Sequence, residues 1–230
     1  MLICDKLVLR QGDFTLTADV TFPAGKVTAL IGPSGAGKST LLAAITGFLT
    51  PASGRVLWQG DDLTGLAPGA RPVSAIFQDN NLFPHLTVTQ NVGLGLRPAL
   101  RLSDDERGQV DRALEAVGLT GLGDRKPGAL SGGQQSRAAL ARVLLAQRPV
   151  VLLDEPFAAL GPGLKDDMLD LVRETLGAAG RTLLMVTHDP DDAKRIADQA
   201  VFVADGNVTA PVPAQAFFSD PSPALADYLG

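Results

Sequence analysis

The run Gly32-Pro33-Ser34-Gly35-Ala36-Gly37-Lys38-Ser39 has the spacing G-x-x-x-x-G-K-[ST]. These residue types suit one task, holding a polyphosphate. The glycines let successive backbone N–H groups turn inward around phosphate oxygens. A helix opening at Lys38 and running on through Thr40 aims its positive end at the same anion. Lys38 adds a point charge toward the β- and γ-phosphates, and Ser39 offers a hydroxyl to Mg²⁺. A second constellation is Leu152-Leu153-Asp154-Glu155, an apolar run that ends in two acids. Charges at a buried strand end are costly unless they serve a cation or a reaction. Asp154 is placed to hold Mg²⁺ through water, and Glu155 to polarise an attacking water as general base. A third is Leu130-Ser131-Gly132-Gly133-Gln134, where Ser131 and two glycines open a helix whose N–H groups can meet another face of a γ-phosphate.

The elements that must position these groups follow from the pattern. Val27 to Ile31 is a short apolar β-prone run that stops at Gly32, and Lys38 to Phe48 follows with a helical pattern. Val73 to Phe77, Val150 to Leu153, Thr182 to Thr187 and Val201 to Ala204 read as further strands, apolar on both faces as buried parallel strands are. Asp205-Gly206 marks a hairpin after the last of them. Helical patterns between these strands predict an α/β class with a largely parallel sheet. Ser103 and Glu106 form a capping box ahead of Val110, Ala113, Leu114 and Val117, one helix face. A further helix is expected from Ser131 to Gln147, so the two form a helical insertion between sheet strands.

Composition narrows the class. With 20 Lys+Arg against 25 Asp+Glu, the net charge is −5, which argues against a nucleic-acid partner. At 45% hydrophobic residues the chain can bury a core, and 25 glycines with 16 prolines imply many specialised turns. Cys4 is the one cysteine, so neither an intramolecular disulfide nor a cysteine metal site is possible. No apolar stretch reaches ~18 residues and no signal-peptide pattern opens the chain, so the expectation is a cytoplasmic protein without a membrane span.

Leu130-Ser131-Gly132-Gly133-Gln134 beside the phosphate loop resembles the signature of ABC transporter ATP-binding subunits, and the likeness covers nearly the whole chain. The resemblance implies a P-loop NTPase with a mixed, largely parallel core sheet and an antiparallel β subdomain. It also implies one domain over 1–230, with a helical subdomain at roughly 84–147 and a short tail at 207–230. ATP and Mg²⁺ are the implied ligands, in a head-to-tail homodimer where each site is completed by Ser131 of the partner subunit. Gln78 matches the glutamine that touches Mg²⁺ and senses the membrane partner, and His188 the switch histidine near the γ-phosphate. His85 has no such match and reads as a loop residue. The implied location is the cytoplasmic face of the inner membrane, bound to a separate permease and served indirectly by a periplasmic solute-binding protein.

The solute is suggested by other strings. Asn80-Asn81-Leu82-Phe83, Asn91-Val92-Gly93-Leu94-Gly95-Leu96, Gly47-Phe48-Leu49-Thr50-Pro51-Ala52-Ser53-Gly54 and Val203-Ala204-Asp205-Gly206 resemble those of bacterial thiamine importer ATPases. Leu183 to His188 agrees with them. The stretch after Gly206, broken by Pro211, Pro213, Pro221 and Pro223, leaves no room for a regulatory domain. Importers of another small solute (iron, sulfate or polyamine) are the alternative. More distant are a soluble ABC protein acting without a transporter and a regulator that clamps ATP without turnover. Leu82, Phe83 and Pro84 read either as a seat for a membrane-subunit helix or as local core packing. The family usually carries Ser-Ala-Leu-Asp after the catalytic glutamate, where this chain has Ala158-Ala159-Leu160-Gly161; the loss of the acid predicts weaker coupling between the two sites. Gln135-Ser136-Arg137 also departs from the commoner Arg-Gln-Arg. Adenine stacking is assigned to either Phe14 or Arg10, with a core role for Phe14 as the alternative.

Overall fold

The computed structural model describes residues 1–230. In chain order the strands and helices are β1 (Leu2–Gln11), β2 (Phe14–Phe22), β3 (Val27–Ile31), α1 (Lys38–Thr46), β4 (Ser53–Trp58) and β5 (Asp61–Asp62). Then come β6 (Val73–Ile76), α2 (Val88–Gly93), α3 (Asp104–Ala116), α4 (Gly132–Ala146), β7 (Val150–Asp154) and α5 (Pro162–Val172). The chain closes with β8 (Thr182–Val186), α6 (Pro190–Ile196), β9 (Gln199–Ala204), β10 (Asn207–Val208), β11 (Val212–Pro213), α7 (Ala214–Ser219) and α8 (Pro223–Leu229).

One continuous sheet runs in the order β5-β4-β1-β2-β10-β9-β3-β8-β7-β6, with β11 paired to β9. From β9 to β6 every pair is parallel, as the doubly apolar strands predict. All five residues of β3, of β7 and of β8 are buried. Alternate residues feed opposite layers. Val150, Leu152, Leu184 and Val186 pack with Leu41, Leu42 and Ile45 of α1. Val151, Leu153, Leu183 and Met185 pack with α4 and α5. The expected hairpin is present: Asp205 and Gly206 both have positive φ, and Asn207 pairs with Ala204.

The other half of the sheet is antiparallel except where β10 lies parallel to β2. β2 alternates buried Leu16, Ala18, Val20 and Phe22 with exposed Thr15, Thr17, Asp19 and Thr21, the pattern of a strand with one solvated face. β1 carries a register shift between Cys4 and Leu7, where Lys6 takes a φ of 46°. The predicted elements hold with small changes at their ends. Gly47, left-handed at φ 91°, stops α1 before Phe48, and the strands at Val73 and Thr182 end one residue early. Ser103 and Glu106 cap α3 as expected, and Ser131 is the N-cap of α4 rather than its first residue. α2, α3 and α4 pack on one another through Val88, Val92, Val110, Leu114 and Leu140, continuous with the sheet's core. No helix is long and apolar enough to cross a membrane.

Parallel pairing puts the carboxyl ends of β3, β6, β7 and β8 on one edge of the sheet, where ligands bind in open α/β sheets. The phosphate loop, Gln78, Asp154-Glu155 and His188 all follow at that edge.

Candidate functional site

The loop after β3 is shaped by what its neighbours leave room for. Gly32 has a φ of 154°, and a Cβ there would collide with the Val203 carbonyl oxygen of β9. Gly37 is the left-handed N-cap of α1, and a Cβ on it would lie 2.8 Å from the Phe14 ring. No side chain caps α1, and its first turn carries no acid, so its leading N–H groups remain available to an anion. Lys38 folds back over the loop, its Nζ donating to the carbonyls of Gly32 at 2.7 Å and Pro33 at 2.8 Å. Burial pulls the Lys38 ammonium below its usual pKa, while the Glu155 and Asp154 charges act the other way.

The far end of α1 is held by a residue that no local sequence pattern marks. Arg71, 2% exposed, donates to the Ala44 and Ile45 carbonyls of the last turn and to Leu66 and Thr64. A guanidinium there satisfies orphan carbonyls and complements the negative end of the helix.

A groove of about 560 Å³ is lined by Gln11, Phe14, Ser34, Gly35, Gly37, Lys38, Ser39, Thr40, Gln78 and Glu155. The predicted loop, the predicted glutamine and the predicted general base therefore share one space. Gln11 was not anticipated; its amide accepts from the Thr40 hydroxyl at 3.4 Å. Of the two adenine candidates, Phe14 lines the groove, whereas Arg10 is exposed outside it. Phe14 is also partly buried against the core, as its alternative reading expects.

Asp154 lies behind the groove, 5% exposed. Burial pushes its carboxyl above the usual carboxylate range, the Ser39 hydroxyl beside it pulls the other way, Glu155 adds to the rise and Lys38 opposes it. Glu155 adopts a φ of 47°, uncommon for a non-glycine residue, and its N–H donates to the Val186 carbonyl at 3.1 Å. Glu155 follows the last residue of β7 directly and lines the groove. His188 Nδ1 stands 3.6 Å from Glu155 Oε2, and both line a second, small cavity of about 90 Å³.

Ser131, Gly132, Gly133 and Gln134 lie elsewhere. None lines the phosphate groove, and Ser131 and Gly132 are exposed. The Ser131 hydroxyl accepts from the Gln134 N–H, and the Gln134 side chain accepts from the Ser131 N–H at 2.9 Å, a complete capping box. This leaves the N–H groups of the two glycines facing outward. The glycines pack on the loop after Glu155: a Cβ on Gly133 would meet the Leu160 side chain, and one on Gly132 would sit 3.6 Å from Ala159.

The segment after Gln78 is pinned from two sides. Asn80 and Asn81 are both left-handed, and Arg142 of α4 donates to both their carbonyls. Asn91, fully buried, bonds the backbone of Phe83, Leu86 and Thr87. Leu82 packs on the core, as the packing reading expects, while Phe83 remains 47% exposed. His85 lies in this loop with its ring 6.0 Å from that of Phe83.

Residues 16–158 match the ABC transporter family. A thiamine import ATP-binding protein of Cereibacter sphaeroides is 63% identical, with all of both chains covered. One from a Ruegeria species is 57% identical with the same coverage, and one from Brucella suis is 50% identical, covering 95% of this chain and 91% of that protein. Among solved structures, a nucleotide-free ATP-binding cassette of an ABC transporter superposes with a TM-score of 0.86 at 28% identity, covering 100% of this chain and 98% of that one. A dimeric post-hydrolysis cassette bound to ADP and Pi gives 0.83 at 28% identity, covering 93% and 99%. Since the family match spans the phosphate loop, the signature and Glu155, and relatives of 50–63% identity run over nearly the whole length, this chain belongs to the ABC transporter family as one of its ATP-binding cassettes.

Proposed function

We propose that the chain is the ATP-hydrolysing subunit of an importer for thiamine, with thiamine phosphates as further cargo. It works as a head-to-tail homodimer on separate membrane subunits. The observation that carries the chemistry is the convergence of Lys38, Ser39, Gln78 and Glu155 on one groove, with His188 beside Glu155. The solute rests on the relatives of 50–63% identity, each a thiamine import ATP-binding protein. No residue of this chain need touch thiamine.

ATP would lie with its phosphates over the N–H groups of residues 32–40 and its base toward Phe14. Lys38, released from its own loop carbonyls, would move to the β- and γ-phosphates. Glu155 would take a proton from the attacking water, and His188 would orient that water and the γ-phosphate. The developing charge would be met by Lys38, the loop N–H groups and Ser131 of the partner subunit. The exposed Ser131-Gly132 helix start, remote from its own groove, suits contribution across a two-fold axis better than action within one chain.

The donors fit Mg²⁺. Ser39 hydroxyl, Gln78 amide and Asp154 carboxylate are hard oxygen ligands, and such ions usually take few protein ligands plus phosphate oxygens. Asp154, destabilised as an anion by burial, is a group a cation would favour. Ser39 and Gln78 would hold the ion directly and Asp154 through water; when bound it neutralises charge on the β- and γ-phosphates. Location at the cytoplasmic face of the inner membrane, a permease partner and an indirect solute-binding protein complete the proposal.

The test is ATP turnover by the purified chain and by Glu155→Gln. The expected result is turnover that falls ~10²–10⁴-fold in the variant while ATP binding persists. Wild-type turnover in Glu155→Gln would overturn the assignment, and absent turnover in both would favour an ATP clamp.

A further inference from the structure

His188 reaches Glu155 across a gap of 3.6 Å, longer than a hydrogen bond. Something must set that gap. The small cavity beneath the two residues shows that close packing does not do so alone. The residues flanking His188 are instead tied into a polar clamp. Lys165 Nζ lies 2.6 Å from Asp189 Oδ2 and 2.7 Å from Asp192 Oδ1. Asp192 Oδ2 accepts from the Thr187 hydroxyl at 2.9 Å, and that hydroxyl accepts from the Asp189 N–H at 3.1 Å. Thr187 and Asp189 are the chain neighbours of His188, so one ammonium fixes the backbone on both sides of the imidazole.

The other end of the clamp lies on α5. Lys165 sits in its first turn, its N–H bonded to the Gly161 carbonyl at 2.9 Å. The preceding loop, Ala159 and Leu160, is the one packed on Gly132 and Gly133. A continuous set of contacts thus joins the signature helix, through that loop and Lys165, to the segment carrying His188. This chain has Gly161 where the family usually has an acid, and the Lys165 clamp does not depend on that side chain.

We propose that Lys165 is a positioning residue: by bridging Asp189 and Asp192 it holds His188 at the distance from Glu155 that hydrolysis requires. The inference rests on the proposed roles of Glu155 and His188. A second bridge keeps it testable. Arg195 of α6 pairs with Asp166 and Asp170 of α5, so the two helices stay joined without Lys165.

The experiment compares Lys165→Met, Lys165→Arg, Arg195→Met and His188→Ala in the full chain. ATP turnover and the histidine ring signals in ¹H–¹³C NMR are the readouts. The chain has 2 histidines, so His188→Ala assigns the His188 signal and His85 serves as internal reference. Lys165→Met is expected to lower kcat on the order of 10- to 100-fold with KM for ATP within about twofold. It should shift the His188 signal and leave that of His85. Lys165→Arg should recover most of the turnover, and Arg195→Met should change neither readout. Wild-type kcat in Lys165→Met, a fall in kcat with an unmoved His188 signal, or a fall no larger than that of Arg195→Met would each overturn the proposal. If Lys165→Met is unfolded, Asp192→Asn, which removes one arm of the clamp, is read by the same two criteria. Undiminished turnover in His188→Ala would instead overturn the role of His188, a separable failure.

Discussion

Replacing Arg71 by methionine isolates what a buried cation does for the phosphate-loop helix. Its guanidinium donates to Ala44 O at 2.8 Å, Ile45 O at 2.9 Å, Leu66 O at 3.0 Å and Thr64 O at 3.0 Å. Of these acceptors, Ala44 O keeps a second donor, the Gly47 N–H at 3.3 Å. Of the other three, Ile45 O loses its partner in a buried bond, while Thr64 O and Leu66 O are only part-buried and can take water instead. An orphaned buried acceptor costs about 1–3 kcal/mol. Relief of the guanidinium's own burial offsets part of that cost. The expected loss is therefore about 1–3 kcal/mol, or roughly 2–12 °C in Tm for a chain of this size. Lys at this position keeps the charge but not the planar fork, and should fall between the two. The phosphate groove is at the opposite end of α1, about 14 Å away along 9 residues, so KM for ATP in the folded fraction should stay within about twofold. Urea unfolding with parallel ATPase assays decides. A loss under about 1 kcal/mol would show that water or the loop replaces the guanidinium, and the capping argument would fail.

Asp154→Asn should raise the stability of the nucleotide-free protein at pH 7.5. A carboxyl whose folded pKa is raised contributes stability at low pH that is lost as pH rises through that pKa, so the variant's advantage should shrink toward about pH 4; thermal melts showing a less stable variant at pH 7.5 would refute this. Gly161 takes an extended φ of −70° with open space around a Cβ, so Gly161→Asp should fold with stability unchanged within about 0.5 kcal/mol. Its Hill coefficient or ATPase rate should rise; if both stay at wild-type values, the idea that Gly161 weakens coupling fails. Phe14→Ala should raise KM for ATP about 5- to 150-fold, the ~1–3 kcal/mol of a ring stacked on the base, while Arg10→Ala should leave it unchanged; the reverse ranking in nucleotide titrations would reassign the contact.

What the sequence reveals follows the range of the interactions involved. β3, β7, β8 and β9 are continuous apolar runs because both faces are covered, and a local pattern suffices to see them. The phosphate loop, Asp154-Glu155 and the signature are equally local, each a short run of fixed spacing. The antiparallel strands came only through the resemblance. β1 is broken by Asp5 and Lys6 at its register shift, which blurs its alternation, although β2 carries a clear period of two. The clamps were illegible. Lys165 finds Asp189 across 24 positions, Arg71 finds Ala44 across 27, and Arg142 finds Asn81 across 61. Nothing near those basic residues marks them from solvated charges until the fold supplies the partner.

In the proposed function, this chain hydrolyses ATP at Glu155 and thereby brings in thiamine. The direct measurement is uptake of labelled thiamine by cells lacking the chain, complemented with wild type or with Glu155→Gln at matched expression. Wild type is expected to restore uptake and Glu155→Gln is not. Failure of wild type to restore uptake would contradict the solute, and restoration by Glu155→Gln would contradict the hydrolytic role.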